Sequence, residues 1–457
     1  MYLNETKAAV YFLTAVLVSA AAAGEDVVDH VEEIAPVWSG HPVGFALLTQ
    51  APYQYVAFYD ADRNMTIGMR SLDPENDWSF GVLPERVGWD SHKNITMTLD
   101  DDGCLHVAGN MHVVPLVYFR MARPHDVQSL ERVEAMIGSE EARATYPRFF
   151  RGPANELIFT YRDGSSGSGN QICNAYDHAT RTWGRLLDQP LVDGEGERNA
   201  YLAGPQKGPD GYFHLCWVWR DHPGCESNHD LSYARSKDLR HWENSSGEAL
   251  RLPITFATAE VVDPVPPGGG IINGNARMGF DHQNRVVLTY HKHDEAGNTQ
   301  VYNARREDDG WHLYRSSNFD YRWDFSGGGT IPFEMRVNAI RAERDGTIVQ
   351  TTSHNKLGTQ RWRLDPDTLA PLEQLPLPEP TTPSELYELE SSFPGMSVRF
   401  AGDMGRCEIP GARYLLRWET LGPHRDRPRE KPWPEPTMLR LYRLKCACSA
   451  RDAAPNG

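Results

Sequence analysis

Residues 52–72 read PYQYVAFYDADRNMTIGMRSL: an aromatic and apolar strand pattern, a short polar link, then a second strand pattern. Alternation of apolar and polar positions, rich in Val, Tyr, Phe and Ile, marks half-buried strands, so the stretch predicts a hairpin. The unit recurs as DDGCLHVAGNMHVVPLVYFRM (101–121), ANELIFTYRDGSSGSGNQICNAYD (154–177) and GPDGYFHLCWVWRDHPGCESNHDLSYARS (208–236). It returns as DHQNRVVLTYHKHDEAGNTQVYNARR (281–306), RDGTIVQTTSHNKLGTQRWRL (344–364), and GARYLLRWETLG with TMLRLYRL (411–422, 437–444). A strand repeat with a period of roughly 50 to 75 residues suits a β-propeller, one copy per blade. The expected fold is therefore all-β: a seven-bladed β-propeller in a single domain spanning 36–445.

Within that frame PVGFALLT (42–49) is expected to complete the ring with the C-terminal strands. SKDLRHW (236–242) resembles a degenerate Asp-box turn, and SLERVEAMIGSEEARAT (129–145) is the best short helix candidate. Pro-rich segments at 262–267 and 374–383 read as loops between blades. Residues 1–23, with Lys7 ahead of an apolar run and small residues after it, read as a secretory signal peptide, and 446–457 as a disordered tail. The protein is thus expected to be secreted, extracellular or periplasmic. A net charge of −16 argues against nucleic acid and anionic membranes as partners. Of seven cysteines, Cys216 and Cys225 are the expected loop staple. No Cys or His spacing reads as a zinc site.

SHKNITMTLDDDGCLHVAGNMH (91–112) carries a histidine near each end. Strands over 95–99 and 105–109, joined by a turn at Asp101–Gly103, bring His92 and His112 to one rim. Tyr146 precedes the first strand of the third repeat, and Arg162 follows its second. Arg220, Asn228 and His229 occupy the matching connection in the fourth. Arg clamps a carboxylate with two parallel hydrogen bonds, and the glycines after Arg162 allow close backbone approach to a ligand. A His, a Tyr and two Arg, with no carboxylate pair, suit β-elimination beside a uronic acid better than glycoside hydrolysis. The arginines would stabilise the enolate, a His or Tyr would take the C5 proton, and a phenol or imidazole would protonate the departing O4.

WSGHPVGFALLT, WDSHKNITMTLDDDGCLHVAGNMHVVPLVYFR, YPRFF…YRDGSSGSGN and RNAYL…GPDGYFHLCWVWRDHPGCESNHDLSYARS resemble the BNR-repeat-containing propeller family over about residues 36 to 365. That family includes ulvan lyases, rhamnose–glucuronate lyases and a related α-L-rhamnosidase. The resemblance puts the lyases' rim histidines on His92 and His112 and their tyrosine on Tyr146. It puts the carboxylate-neutralising arginine on Arg162 and a further substrate arginine on Arg220. His112 or Tyr146 is then the base, and Tyr146 or His92 the acid. The implied substrate is an acidic rhamnose-containing polysaccharide or oligosaccharide, met by a monomer. No cofactor is implied for catalysis, although some members hold a structural calcium. The alternative is an α-L-rhamnosidase working through His41 on the opposite face; a non-catalytic lectin is a third reading. His106 and His214 are expected in the core, as are Trp217 and Trp219; His291 and His293 are expected in a solvated loop. A glycan at the Asn94 sequon would crowd His92.

Overall fold

A computed structural model of the chain describes residues 25–72 and 76–446. The expected signal peptide, and all of the expected tail except Cys446, lie outside the described residues. The described residues are all-β, with three short 3-10 turns and no α-helix. Their strands fall into seven antiparallel sheets of four or five strands each. Each sequence repeat supplies neighbouring strands of one sheet: Tyr53–Tyr59 with Asn64–Ser71 in the first, Leu157–Ser165 with Ser168–Asp177 in the third, Phe213–Arg220 with Asn228–Ser236 in the fourth. The quoted pattern therefore reports the hairpin at the middle of each sheet. Flanking strands complete it.

Three expectations need correction. PVGFALLT contributes Ala46–Gln50, which pairs with Tyr53–Tyr59 in the first sheet. The strand that joins the C-terminal pair is Val27–Val37, hydrogen-bonded along Thr437–Lys445. The proposed helix at 129–145 is a short strand, Leu130–Arg132, followed by a loop. There the Glu141 carboxylate accepts from the backbone N–H groups of Met136, Ile137 and Gly138, satisfying donors that a helix would have used. Cys216 and Cys225 are both free. They are buried in different apolar clusters, Cys216 in one that holds Val218 and Cys225 in one that holds Trp323.

Core packing follows the alternation. Trp217 and Trp219 are fully buried, as expected. So are His106 and His214, each held by a tyrosine hydroxyl and an aspartate. Tyr118 lies 2.7 Å from His106 Nδ1, with Asp100 3.3 Å from Nε2; Tyr233 lies 2.6 Å from His214 Nδ1, with Asp210 2.9 Å from Nε2. The Asp-box turn forms as read: Ser236 Oγ donates to His241 O, Asp238 accepts from two backbone N–H groups, and Trp242 packs beneath.

His291 is not in a solvated loop. It lies on Val286–His293 with 1 % of its surface exposed, and His293 is partly buried beside it. Burial, with the His293 charge, pushes the His291 pKa down to about 3. The unfolded chain takes up that proton below about pH 6.5, so stability is lost as pH falls from 6.5 toward 3. We expect His291→Phe to remove this contribution, on the order of 5 kcal/mol across that window. Thermal unfolding at pH 7 and pH 4 checks it: the variant's melting temperature should fall less between the two than the native protein's.

Candidate functional site

The short strand His112–Val114 follows the second sheet's middle strand in sequence but pairs with Ala144–Arg151 of the third sheet. In that row Thr145 is the backbone partner of His112 on one side and of Arg162 on the other. Its hydroxyl accepts from Val113 N at 2.8 Å and from Arg162 Nη2 at 3.2 Å. Register then slips between Thr145 and Arg148, and Tyr146 takes a left-handed φ of 58° at the bulge. Bulges re-aim a side chain, and this one sets the phenol beside the row. Its ring centroid lies 6.5 Å from that of His112 and 5.9 Å from that of His92. The two imidazole centroids are 4.4 Å apart.

His92, His112, Tyr146, Arg162 and Arg220 line one cavity of about 820 Å³. Arg162 is 3 % exposed, yet its Nε and Nη1 have no hydrogen-bond partner. Its guanidinium carbon sits 4.9 Å from the Tyr146 ring centroid. Unpaired donors on a buried cation are costly, so this geometry calls for an anion to complete it. Gly169 makes room, because a Cβ there would meet Arg162 Cδ at 2.9 Å and Asn199 Oδ1 at 2.2 Å. That glycine serves the arginine. Arg220 is more fully engaged: it donates to His222 O at 3.1 Å, to Asn273 Oδ1 at 3.3 Å and to Pro223 O.

Asn228 and His229 do not join the group. Asn228 Nδ2 donates to Cys225 O and its Oδ1 accepts from Asn273 N; His229 is clasped by Asp221 at 3.0 Å and Asp230 at 2.8 Å. Both are buried and are not among the residues that line the cavity, so the structure does not bring them to the other five. His41 does not lie on an opposite face. Its Nε2 is 3.4 Å from Asp426 Oδ1, and the other oxygen of that carboxylate is 3.4 Å from His92 Nδ1. At 1 % exposure His41 also has no open surface toward a sugar.

Three residues at the site escaped the sequence reading. Asp90 lies between the histidines, Oδ1 at 2.8 Å from His92 Nδ1 and Oδ2 at 2.5 Å from His112 Nδ1. Burial opposes its ionisation, but those two hydrogen bonds outweigh burial and hold its carboxyl well below the usual carboxylate range. An ionised carboxylate only accepts, so both Nδ1 atoms carry protons and each Nε2 is left for the cavity. The signal was in WDSH, two residues before His92. Asp426, from the loop before the last strand, accepts from Ser91 N at 2.9 Å and Thr330 N at 2.8 Å and so ties the His92 loop in place. Tyr201 puts its ring between the guanidinium carbons of Arg162 and Arg220, 5.9 Å and 5.6 Å away.

Among the described residues, Asp90, His92 and His112 are the one His, Cys, Asp or Glu trio close enough to share a metal ion. Two imidazoles and one carboxylate are not the oxygen set calcium takes. The 2.5 and 2.8 Å separations are hydrogen-bond lengths, shorter than the ~3.3 Å between neighbouring ligands on a tetrahedral zinc. In this arrangement the carboxylate joins the two imidazoles by hydrogen bonds. Asp90→Asn should lower turnover about 10–100-fold with little change in KM, because one imidazole then faces an amide that cannot accept as the carboxylate did; steady-state kinetics reads the split.

Fold and site define an all-β repeat protein with a histidine- and arginine-lined cavity. The chain belongs to the BNR repeat-containing family, whose model matches residues 53–355. The crystal structure of the polysaccharide lyase Uly1 covers 92% of this chain and 99% of its own, at 13% identity and a TM-score of 0.58. An ulvan lyase, PL25, covers 94% of this chain and 100% of its own, at 14% identity and a TM-score of 0.57. The same enzyme bound to -[GlcA(1-4)Rha3S]- matches with a TM-score of 0.56. At such identities the likeness is one of fold. No curated protein matches the chain in sequence.

Proposed function

We propose that the seven sheets are the blades of one propeller, and that the chain is a secreted polysaccharide lyase cleaving a rhamnosyl–uronate linkage by β-elimination. The observation that carries the reading is Arg162, buried with two unpaired donor atoms beside a proton-holding pair of imidazoles. A uronate carboxylate would complete that guanidinium, and its neutralisation makes C5–H removable. The Nε2 of His112, or of its neighbour His92, takes the C5 proton; the electron pair forms the C4–C5 double bond, and the C4–O4 bond breaks. Tyr146 delivers its proton to O4. Burial first, then the nearness of Tyr201, push the phenol well above its ordinary pKa, against the opposing charges of Arg162 and Arg220. It therefore stays protonated at neutral pH and suits the role of acid rather than base. No metal or cofactor is needed in this sequence of steps. The uronate preference also draws on the fold relative bound to a glucuronate–rhamnose-3-sulfate ligand.

Incubation with ulvan and with gum arabic tests the reading. Elimination produces an unsaturated uronate and a rise in ultraviolet absorbance. Release of free rhamnose without that rise, lost in His41→Ala, would replace the lyase reading with the hydrolase one. Binding without new chain ends would leave a lectin.

A further inference from the structure

The elimination makes no use of His41, the histidine of WSGH, or of the carboxylate that meets it. His41 is 1 % exposed, and its Nδ1 has no hydrogen-bond partner. Its ring packs edge-on against Trp89, with centroids 6.2 Å apart, and its Nε2 has Asp426 Oδ1 at 3.4 Å. Asp426 lies in the 422–436 loop between the last two strands, Ala412–Leu421 and Thr437–Lys445. Its carboxylate serves two loops of the cavity. Oδ1 accepts from Ser91 N at 2.9 Å and Ser91 Oγ at 2.8 Å, one residue before His92. Oδ2 accepts from Thr330 N at 2.8 Å and Thr330 Oγ1 at 3.0 Å. His92 and Thr330 both line the cavity.

Four neutral donors do not by themselves call for a charge, since an uncharged carbonyl oxygen accepts from them too. The Asp426 side chain is 10 % exposed, and so deeply placed a carboxylate is costly unless it is paired. Among the described residues its ion-pair partners are two imidazoles, His41 and His92, with no Lys or Arg. Burial opposes its ionisation, but the His41 and Ser91 hydrogen bonds and the His92 charge hold the carboxyl well below the usual carboxylate range. Oδ2 stands 3.4 Å from His92 Nδ1, which already has Asp90 Oδ1 at 2.8 Å. Two carboxylates thus flank one ring nitrogen of His92, whereas His112 Nδ1 meets Asp90. We propose that Asp426 is a positioning residue for His92, holding its Nδ1–H so that Nε2 stays free for the cavity, and that His41 acts on the reaction through Asp426 and not on a sugar. The effect on turnover rests on the lyase reading; the hold on the imidazole does not.

NMR of the whole protein labelled at its histidine nitrogens, run beside steady-state kinetics, tests both. The native His92 Nδ1–H resonance, assigned by its loss in His92→Gln, is expected to exchange slowly with water. In Asp426→Asn, whose amide oxygen keeps neutral donors, that exchange should quicken at least tenfold while the His112 resonance stays in place. On a uronate-containing polysaccharide kcat should fall about 10–100-fold, with KM nearly unchanged. His41→Gln, which keeps an N–H toward Asp426, should retain at least half of native kcat, and His41→Leu should lose about tenfold. Should Asp426→Asn fail to fold, the two His41 variants carry the same comparison. In an active native enzyme, an unchanged kcat or an unmoved His92 resonance in Asp426→Asn overturns the inference. Equal losses in His41→Gln and His41→Leu overturn it too, because the N–H toward Asp426 would then be irrelevant. Absence of elimination by the native protein overturns the lyase reading instead, and the exchange rates alone then decide whether Asp426 holds His92.

Discussion

Tyr146→Phe is expected to lower kcat on a uronate-containing polysaccharide by about 10²–10⁴-fold, with KM nearly unchanged. The hydroxyl makes no hydrogen bond within the described residues, and the ring contacts with His92, His112 and Tyr201 survive in Phe. The fold therefore loses little, and what disappears is the proton for the departing O4. The pH profile separates this role from its alternative. A general acid must be protonated, so a raised phenol pKa moves the alkaline loss of activity upward, beyond the ordinary tyrosine value of about 10. Were Tyr146 the base, the ionised form would be the active one, and kcat would climb with pH toward that same raised value. A plateau of kcat running past pH ~10 in the native enzyme supports the acid; a continuous rise transfers the base to Tyr146.

The hairpins were legible because both of their strands obey period-two alternation within one repeat, as in PYQYVAFYDADRNMTIGMRSL. Val27–Val37 was not, because VVDHVEEIAPV mixes charges into its alternation and pairs through two register shifts. Its partner strand, some 400 residues on, makes it a strand. The site divides in the same way. His92, His112, Tyr146 and Arg162 meet because strand ends near a common rim can be counted from the turns. Asn228 and His229 sit at an equivalent count, yet a 3-10 turn over Cys225–Ser227 and the aspartates flanking His229 turn them inward. Asp426 is joined to His92 only by the path of the final loop, which local pattern does not encode.

Arg162→Gln is expected to lower kcat/KM by about 10²–10³-fold or more, the scale of losing one preorganised charge stabiliser at a developing anion. Arg162→Lys should recover little, because Nε and Nη1 are the free donors and an ammonium has neither that planar fork nor its reach. The stability readout is what separates a functional arginine from a structural one. A buried cation that holds the fold together is destabilising to remove, by several kcal/mol when its partner is left unpaired. Arg162 has no acidic partner, and its one recorded side-chain hydrogen bond, to Thr145 Oγ1, is long at 3.2 Å. Removing it relieves a desolvation cost while losing little, so the melting temperature of Arg162→Gln should stay level or rise as activity collapses. Addition of guanidinium ion to Arg162→Ala should restore part of the rate, since the cavity keeps its shape around the missing group. A variant that melts well below the native protein and recovers nothing with guanidinium would make Arg162 a packing residue and leave the uronate without its counter-charge.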